Sequence, residues 1–390
     1  MKESNSKRIV FLAPVSAVNK RLRLRKVFSF LQDEYKEEKK LRYLHLGWER
    51  EKGESRFELK EIKQKIILKG GGYGGSLVKA RYILWIICSF MSCLRLKKND
   101  LVWALGFESA FPALIASKII GFKVIMDDAD RFSLVFSFPV FINRIIQKLE
   151  TWTSLNVFLH IIPGYERYEF TSPNFFLLKN TPSHSEVEKA RKLEYREVLT
   201  NEILEEYGNI PSLVIYINGW LASSRGIDIA LKVVKEMNIV ENNNILFLVA
   251  GRIASNEAKE LIEFKNVKYL GELSNSDALA AYFLSDFVLT YFAPSSIINK
   301  FAESNKWGDA LKIGVGVIVN NEVVTADYLR RGGVSISNDY NDVKGLVAKL
   351  NELIVNPDLK QKYKSNSLLL SNKFGYFEEQ LKDLFSNHIF

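Results

Sequence analysis

Ser212-Leu-Val-Ile-Tyr-Ile-Asn218 runs into Gly219-Trp-Leu-Ala-Ser-Ser-Arg-Gly226 and then into Ile227-Asp-Ile-Ala-Leu-Lys-Val-Val-Lys-Glu-Met237. The first run is aliphatic without alternation, as in a strand covered on both faces. The last repeats apolar residues every three or four positions, as in an amphipathic helix. A glycine-bounded turn that feeds a helix N-terminus is suited to a diphosphate, because free backbone N–H groups, the helix dipole and the nearby Arg225 all favour negative charge. This strand, turn and helix predict an α/β unit with a parallel sheet.

The same grammar extends in both directions. Downstream, strands are predicted at Asn244–Ala250, Val267–Leu270, Phe287–Thr290, Gly316–Val319 and Val334–Ile336, with helical segments between them. Upstream, they are predicted at Arg8–Ala13, Leu41–Leu46, Lys65–Leu68, Leu101–Ala104, Lys123–Met126, Val157–Ile162 and Phe175–Leu178. Two doubly wound sheets in one chain lead us to expect a domain over 1–180, a polar Glu- and Lys-rich linker over 181–210, a second domain over 211–373 and a final helix over 374–390. Paired sheets of this kind suggest two Rossmann-like domains facing each other across a cleft that holds a ligand at the carboxyl ends of the strands.

At 390 residues, 47% hydrophobic and 25% charged, the composition is that of a folded globular protein and excludes coiled coil, collagen and disorder. The two cysteines, Cys88 and Cys93, form no C-x-x-C, so neither a disulfide framework nor a zinc site is expected. The residues after Met1 lead into five apolar residues, too few for a signal-peptide core. A cytoplasmic location follows as an expectation. The net charge of +9 admits an anionic partner. Lys20, Arg21, Arg23, Arg25 and Lys26 crowd one stretch, and two apolar runs, Tyr82–Leu94 and Phe132–Ile142, are shorter than a membrane span. They read as core helices or as an interfacial patch on a peripheral membrane protein.

Several motifs bear on chemistry. Gly70-Gly-Gly-Tyr-Gly-Gly75 fits G-x-G-x-x-G, but follows a third strand and lacks the acidic partner of a dinucleotide site. Asp127-Asp-Ala-Asp130 follows a strand and contains D-x-D; it reads as a catalytic or acceptor-orienting group, a helix cap, or hard oxygen ligands for a divalent metal. His45, His160, His184 and His388 sit in no hydrolase motif, and there is no P-loop. In the second half, Gly251 and Arg252 end a buried strand. Gly271-Glu-Leu-Ser274 makes a tight turn with a serine cap. Asn305-Lys-Trp-Gly-Asp309 opens a short helix on which Lys306 and Asp309, three apart, share a face.

At these residues the sequence resembles the nucleotide-sugar-dependent glycosyltransferases of the GT-B fold, in the family 4-like group of retaining enzymes. The resemblance covers nearly the whole chain. G-x-L-x-x-x-[KR]-G is matched by Gly219, Leu221, Arg225 and Gly226, and the turn G-x-[LV]-[ST] by Gly271, Leu273 and Ser274. The helix motif N-K-x-x-E-a-l-x-x-G-x-P-V-I is matched by Asn305, Lys306, Ala310, Leu311, Gly314, Val317 and Ile318, with Asp309 in the glutamate's place and Gly316 in the proline's. Asn299, Lys300 and Glu303 fit the first five positions as well. Leu46–Arg50, Trp103–Leu114 and Leu178–Ser183 resemble features of the family's first domain. Trp220 stands where many members carry arginine, Ala129 where several carry a histidine, and Phe301 where an acidic residue is usual.

The resemblance implies a hexosyltransferase-like enzyme of cell-surface polysaccharide synthesis, with a UDP- or GDP-sugar as donor, no bound metal, and a glycan or lipid-linked glycan as acceptor. Contact with the inner face of the membrane is part of this expectation; nucleic acid is not. The donor site is expected at Gly219, Arg225, Gly226, Gly251, Arg252, Gly271, Glu272, Leu273, Asn305, Lys306 and Asp309, with Asp309 on the ribose. The catalytic set is expected to be Arg225, Lys306, Asp128 and Asp130. Two alternatives stand beside it: an NAD-dependent oxidoreductase using Gly70–Gly75, and a catalytically degenerate protein that binds glycans or anionic surfaces.

Overall fold

The computed structural model describes residues 7–35, 41–54, 61–74, 76–128, 130–135, 138–239 and 244–389. Gly75, Ala129 and positions 136 and 137 of the second apolar run lie outside them. By contacts the chain divides into Met1–Leu178 with Asp383–Phe390, and Lys179–Lys382.

Among the described residues the first unit holds seven parallel strands: β1 (Arg8–Ala13), β2 (Arg42–Glu49), β3 (Ile62–Lys69), β4 (Asp100–Leu105), β5 (Lys123–Asp127), β6 (Leu159–Ile162) and β7 (Phe175–Leu177). Their order is β3-β2-β1-β4-β5-β6-β7. The central strands are buried on both faces, which is why their sequences run apolar without alternation. The helices are α1 (Leu22–Glu34), α2 (Ser76–Cys93), α3 (Phe107–Ile120), α4 (Phe132–Val135) and α5 (Val140–Asn156).

The basic stretch does not form one surface. Leu24, Val27, Phe28 and Leu31 of α1 face the core. Arg23, on the same side, is 12% exposed, pairs with Asp127 Oδ1 at 2.8 Å and donates to the carbonyl of Leu178 at 3.2 Å. The two apolar runs are divided between core and surface. Trp85 and Cys93 of α2 are fully buried, whereas Ile83, Leu84, Ile87 and Met91 are exposed, as are Val140, Phe141, Ile142 and Ile145 of α5. No described helix is long and apolar enough to cross a membrane.

The second unit opens with two helices, α6 (His184–Arg191) and α7 (Glu194–Tyr207), where a linker was expected. Ser183 and Glu186 form a capping box at the head of α6. Leu199 and Ile203, four apart on α7, are buried in the core, and this narrow stripe was masked by the polar residues around it. The sheet follows: β8 (Leu213–Asn218), β9 (Ile245–Ala250), β10 (Val267–Tyr269), β11 (Phe287–Leu289), β12 (Gly316–Asn320) and β13 (Ser335–Asn338), in the parallel order β10-β9-β8-β11-β12-β13. Leu213, Ile215 and Ile217 pack on one face of β8, and Val214 and Tyr216 on the other.

The remaining helices are α8 (Ile227–Ile239), α9 (Asn256–Leu261), α10 (Asn275–Tyr282), α11 (Ile297–Lys300), α12 (Asn305–Ile313), α13 (Asp327–Arg331), α14 (Val343–Val355), α15 (Pro357–Phe374) and α16 (Phe377–Leu384). Beyond α16, Phe385 belongs to the first unit, where its ring stacks on Trp103 at 6.0 Å and meets Phe30 at 5.7 Å.

Candidate functional site

In the second unit the strand order reverses between β8 and β11, so the loops after these strands border the crevice that an open parallel sheet offers to a ligand. The loops after β8, β9 and β10 are laced by backbone hydrogen bonds. Gly219 N donates to Ala250 O at 2.9 Å, Leu221 N to Arg252 O at 3.0 Å, Ala254 N to Leu221 O at 3.0 Å, and Gly251 N to Gly271 O at 2.7 Å. The lacing leaves no room at Gly251: its φ is +125°, and a Cβ there would overlap the carbonyl oxygen of Gly219. A hollow of about 770 Å³ results, lined by Gly219, Trp220, Gly251, Arg252, Ile253, Ala254, Glu272 and Leu273. Trp220 in this lining is 57% exposed.

Two cations converge beside this hollow. Arg225, exposed on the short turn before Gly226, lies with its guanidinium 5.1 Å from the centre of the Phe292 ring. Gly226 itself has φ +77° and sits so close to Tyr291 that a side chain would overlap it. From the other side comes α12. Its Trp307 is fully buried and donates through Nε1 to Thr290 Oγ1 at 2.8 Å, while Gly308 lies so close to the carbonyl of Asn180 that a side chain would collide with it. This anchoring brings the Lys306 ammonium to 3.6 Å from where a Cβ of Gly219 would lie. Lys306 is half-buried and makes no hydrogen bond or ion pair among the described residues. Burial, with Arg225 adding to it, pushes its pKa down to about 8. A cation held this way is short of negative charge.

Asp309, one helical turn on, is half-buried near two phenols; burial first and Asp309 second hold the Tyr282 hydroxyl well above its ordinary pKa. Asn305 is exposed at the head of α12. Two residues of the competing register are engaged elsewhere. Asn299 Nδ2 donates to the carbonyls of Ser224 and Ala293, at 3.2 and 2.9 Å, and so braces the Arg225 turn; Glu303 pairs with Lys179 at 2.9 Å; Lys300 is exposed. Gly308, Phe292 and Asn299, none of them singled out for these roles from sequence, support the site through packing between segments far apart in the chain, which no local motif records.

Asp128 and Asp130 belong to the first unit, where they are engaged separately. Asp128, 1% exposed, accepts from the Tyr168 hydroxyl at 2.5 Å and lies 3.7 Å from His160 Nε2. Burial alone would raise its pKa; these two partners outweigh burial and hold it below the usual carboxylate value. Asp130 is about half exposed and pairs with Arg167 at 3.0 Å. Among the described residues no cluster of histidine, cysteine and carboxylate side chains is built to hold a metal. The glycine run follows β3, an edge strand away from the reversal, and Gly70 and Gly72 donate to the carbonyls of Glu49 and Arg50.

No protein-family model matches the sequence, and no curated protein matches it. Solved structures do. A trehalose-6-phosphate protein from E. coli bound with UDP-2-fluoro glucose superposes with a TM-score of 0.70 at 9% identity, covering 98% of this chain and 99% of that one. HepE of Anabaena in complex with UDP gives 0.68 at 12%, covering 97% and 100%. Sucrose-phosphate synthase from Thermosynechococcus elongatus gives 0.68 at 10%, covering 98% of each. Two parallel sheets of seven and six strands, matched over nearly their full length to these structures, establish that the chain has the GT-B fold of two Rossmann-like domains.

Proposed function

We propose that the protein transfers a sugar from a UDP- or GDP-linked donor to a hydroxyl of a glycan or lipid-linked glycan, with retention at the anomeric carbon, in cell-surface polysaccharide synthesis. The observation that carries this reading is Lys306: a half-buried ammonium without a protein acceptor, beside Arg225, at a turn whose backbone is locked open by Gly219 and Gly251. A diphosphate supplies the missing charge. The nucleoside occupies the hollow next to Trp220, Arg252, Glu272 and Leu273, with Asp309 on the ribose.

As the glycosidic C–O bond breaks, the electron pair goes to the diphosphate, and Arg225, Lys306 and the head of α8 stabilise its growing charge. The sugar becomes oxocarbenium-like. The acceptor hydroxyl bonds to the anomeric carbon on the face the leaving group has left and gives its proton to a leaving-phosphate oxygen. The products are the glycoside and a nucleoside diphosphate. The first unit takes the acceptor.

A melting-temperature panel with UDP, GDP, ADP and NAD tests the reading. A ligand at 100 times its Kd adds about 2.7 kcal/mol of stability, so UDP or GDP is expected to raise the melting temperature by several degrees. No shift with any nucleoside diphosphate would sink the reading, and a shift with NAD alone would restore the oxidoreductase alternative.

Transfer is expected to survive EDTA, because Asp128 and Asp130 are held by Tyr168, His160 and Arg167 rather than converging on one ion. Loss of transfer on chelation and its return with manganese would overturn this.

Peripheral contact with an anionic membrane face is supported by the exposed apolar residues of α2 and α5 and by neighbouring Arg144 and Lys148, also exposed on α5. The chain is expected to float with anionic liposomes at low salt. Replacing Ile83, Ile87 and Phe141 by Ser is expected to abolish flotation; unchanged flotation of that variant would place the contact elsewhere.

A further inference from the structure

The first sheet has its own reversal, between β1 and β4. Two helices leave this point, α1 and α3. Arg21 immediately precedes α1, and Glu108 stands in the first turn of α3. On one flank β2 ends at Glu49 and Arg50 follows; on the other β5 ends at Asp127 and Asp128 follows. Residues from four segments of the chain thus gather at the carboxyl edge of this sheet.

Their charges do not balance. Arg50 is 7% exposed. Its guanidinium donates to the carbonyl of Pro14 at 3.3 Å and to the Tyr82 hydroxyl at 2.8 Å, and lies 4.2 Å from the ring centre of Trp48 and 5.1 Å from that of Tyr82. All of these groups are neutral, and among the described residues no carboxylate forms an ion pair with it. A buried guanidinium without a counter-charge is costly.

Glu108 does not supply that charge. Burial first, then Asp128, push its carboxyl up to about 8, against the opposing pull of Arg50 and Arg21, so it is protonated at neutral pH. Arg21 is exposed, and its side chain makes no hydrogen bond or ion pair among the described residues. Asp128 directs one oxygen to Tyr168; its other oxygen, Oδ1, is buried without a hydrogen-bond partner. The edge therefore presents two cations short of an oxygen-rich ligand, a neutral carboxyl, and on its far side the Asp128 carboxylate with one oxygen short of a donor.

We propose that the reversal point of the first sheet binds an oxyanion carried by the acceptor sugar, a phosphate or a carboxylate, between Arg50 and Arg21, with the Glu108 carboxyl beside it. This rests on the sugar-transfer reading and gives the acceptor a chemical class: an acidic sugar. Arg50, stacked against aromatic rings, offers its fork in a fixed orientation, the geometry that suits a bidentate oxyanion.

The test is calorimetric titration of the full chain at pH 7 with glucose 6-phosphate, glucuronate and glucose, and separately with UDP. At least one acidic sugar is expected to bind about tenfold tighter than glucose, the scale of one charge-assisted hydrogen bond. Binding of glucose 6-phosphate alone assigns phosphate, and binding of glucuronate alone assigns carboxylate. Arg21→Ala and Arg50→Lys are each expected to remove most of that margin, and Arg225→Ala in the other unit is expected to leave it intact. Raising the pH to 9 ionises Glu108 beside the anion, so affinity is expected to fall in the wild type and to hold in Glu108→Gln. Glucose binding as tightly as both acidic sugars, no effect of Arg21→Ala, or loss of acidic-sugar binding in Arg225→Ala would overturn the proposal. UDP binding without any acidic-sugar binding removes this site and leaves the donor reading; acidic-sugar binding without UDP binding does the reverse.

Discussion

Lys306→Ala is expected to cut kcat for sugar transfer by about 100-fold or more, the scale of removing one group that stabilises transition-state charge. Arg225→Ala is expected to do the same. The ligand-free fold should respond in the opposite direction to activity, because Lys306 is a half-buried cation that the free protein leaves without an acceptor. Lys306→Met, which keeps the length and drops the charge, is expected to raise the melting temperature of the free protein by roughly 2–4 °C while abolishing the shift caused by UDP.

The pH dependence follows from the sign. The folded pKa is about 8, below that of a free lysine, so between the two values the unfolded chain binds more protons and the stability of the free protein rises with pH. UDP affinity moves the other way and is expected to weaken as Lys306 deprotonates above pH 8. Unchanged kinetics in both alanine variants, or a flat UDP affinity between pH 7 and 9.5, would remove these residues from the donor site.

The second large effect is structural. Gly251→Ala is expected to destabilise the protein by roughly 3 kcal/mol or more, in the range of overpacking combined with backbone strain. The added methyl meets the carbonyl of Gly219, which is backbone and cannot rotate aside, and the φ of +125° disfavours any side chain. Gly271→Ala serves as the matched comparison: its φ is +74°, and a Cβ there meets nothing within 4 Å. The expected cost is only the left-handed backbone penalty, about 1–2 kcal/mol. Denaturant midpoints of the two variants, followed by fluorescence, measure the difference. Equal midpoints would show that the loops after β8 and β9 are not tightly laced, and with that the shape of the hollow proposed for the donor would be lost.

The inner strands of the two sheets fall where unbroken aliphatic runs place them, because a parallel strand covered on both faces needs apolar side chains at every position and little else in the chain looks like that. Edges were less legible. β2 continues to Glu49 and β3 begins at Ile62, since ladder hydrogen bonds hold polar edge residues in a strand that composition would end sooner. Residues 181–210 read as a linker because α7 meets the core through one narrow stripe, Tyr195, Leu199, Ile203 and Tyr207, set among polar residues.

At the proposed donor site, the glycines and cations could be singled out by spacing, since a turn that leads into a helix head is local in sequence. The choice between Asn299-Lys300 and Asn305-Lys306 was not. Both fit the same pattern, and it was the burial of Trp307 against Thr290 and the close passage of Asn180 over Gly308 that turned Lys306 toward Gly219 and left Asn299 as a brace. The same holds for Arg50 and Glu108, 58 positions apart in the sequence. Their sequence neighbourhoods name a strand end and a helix start. Only the reversal of strand order between the paired β1 and β4 brings a guanidinium without a counter-ion and a protonated carboxyl to one edge, because charge balance depends on distances between segments that the order of residues does not encode.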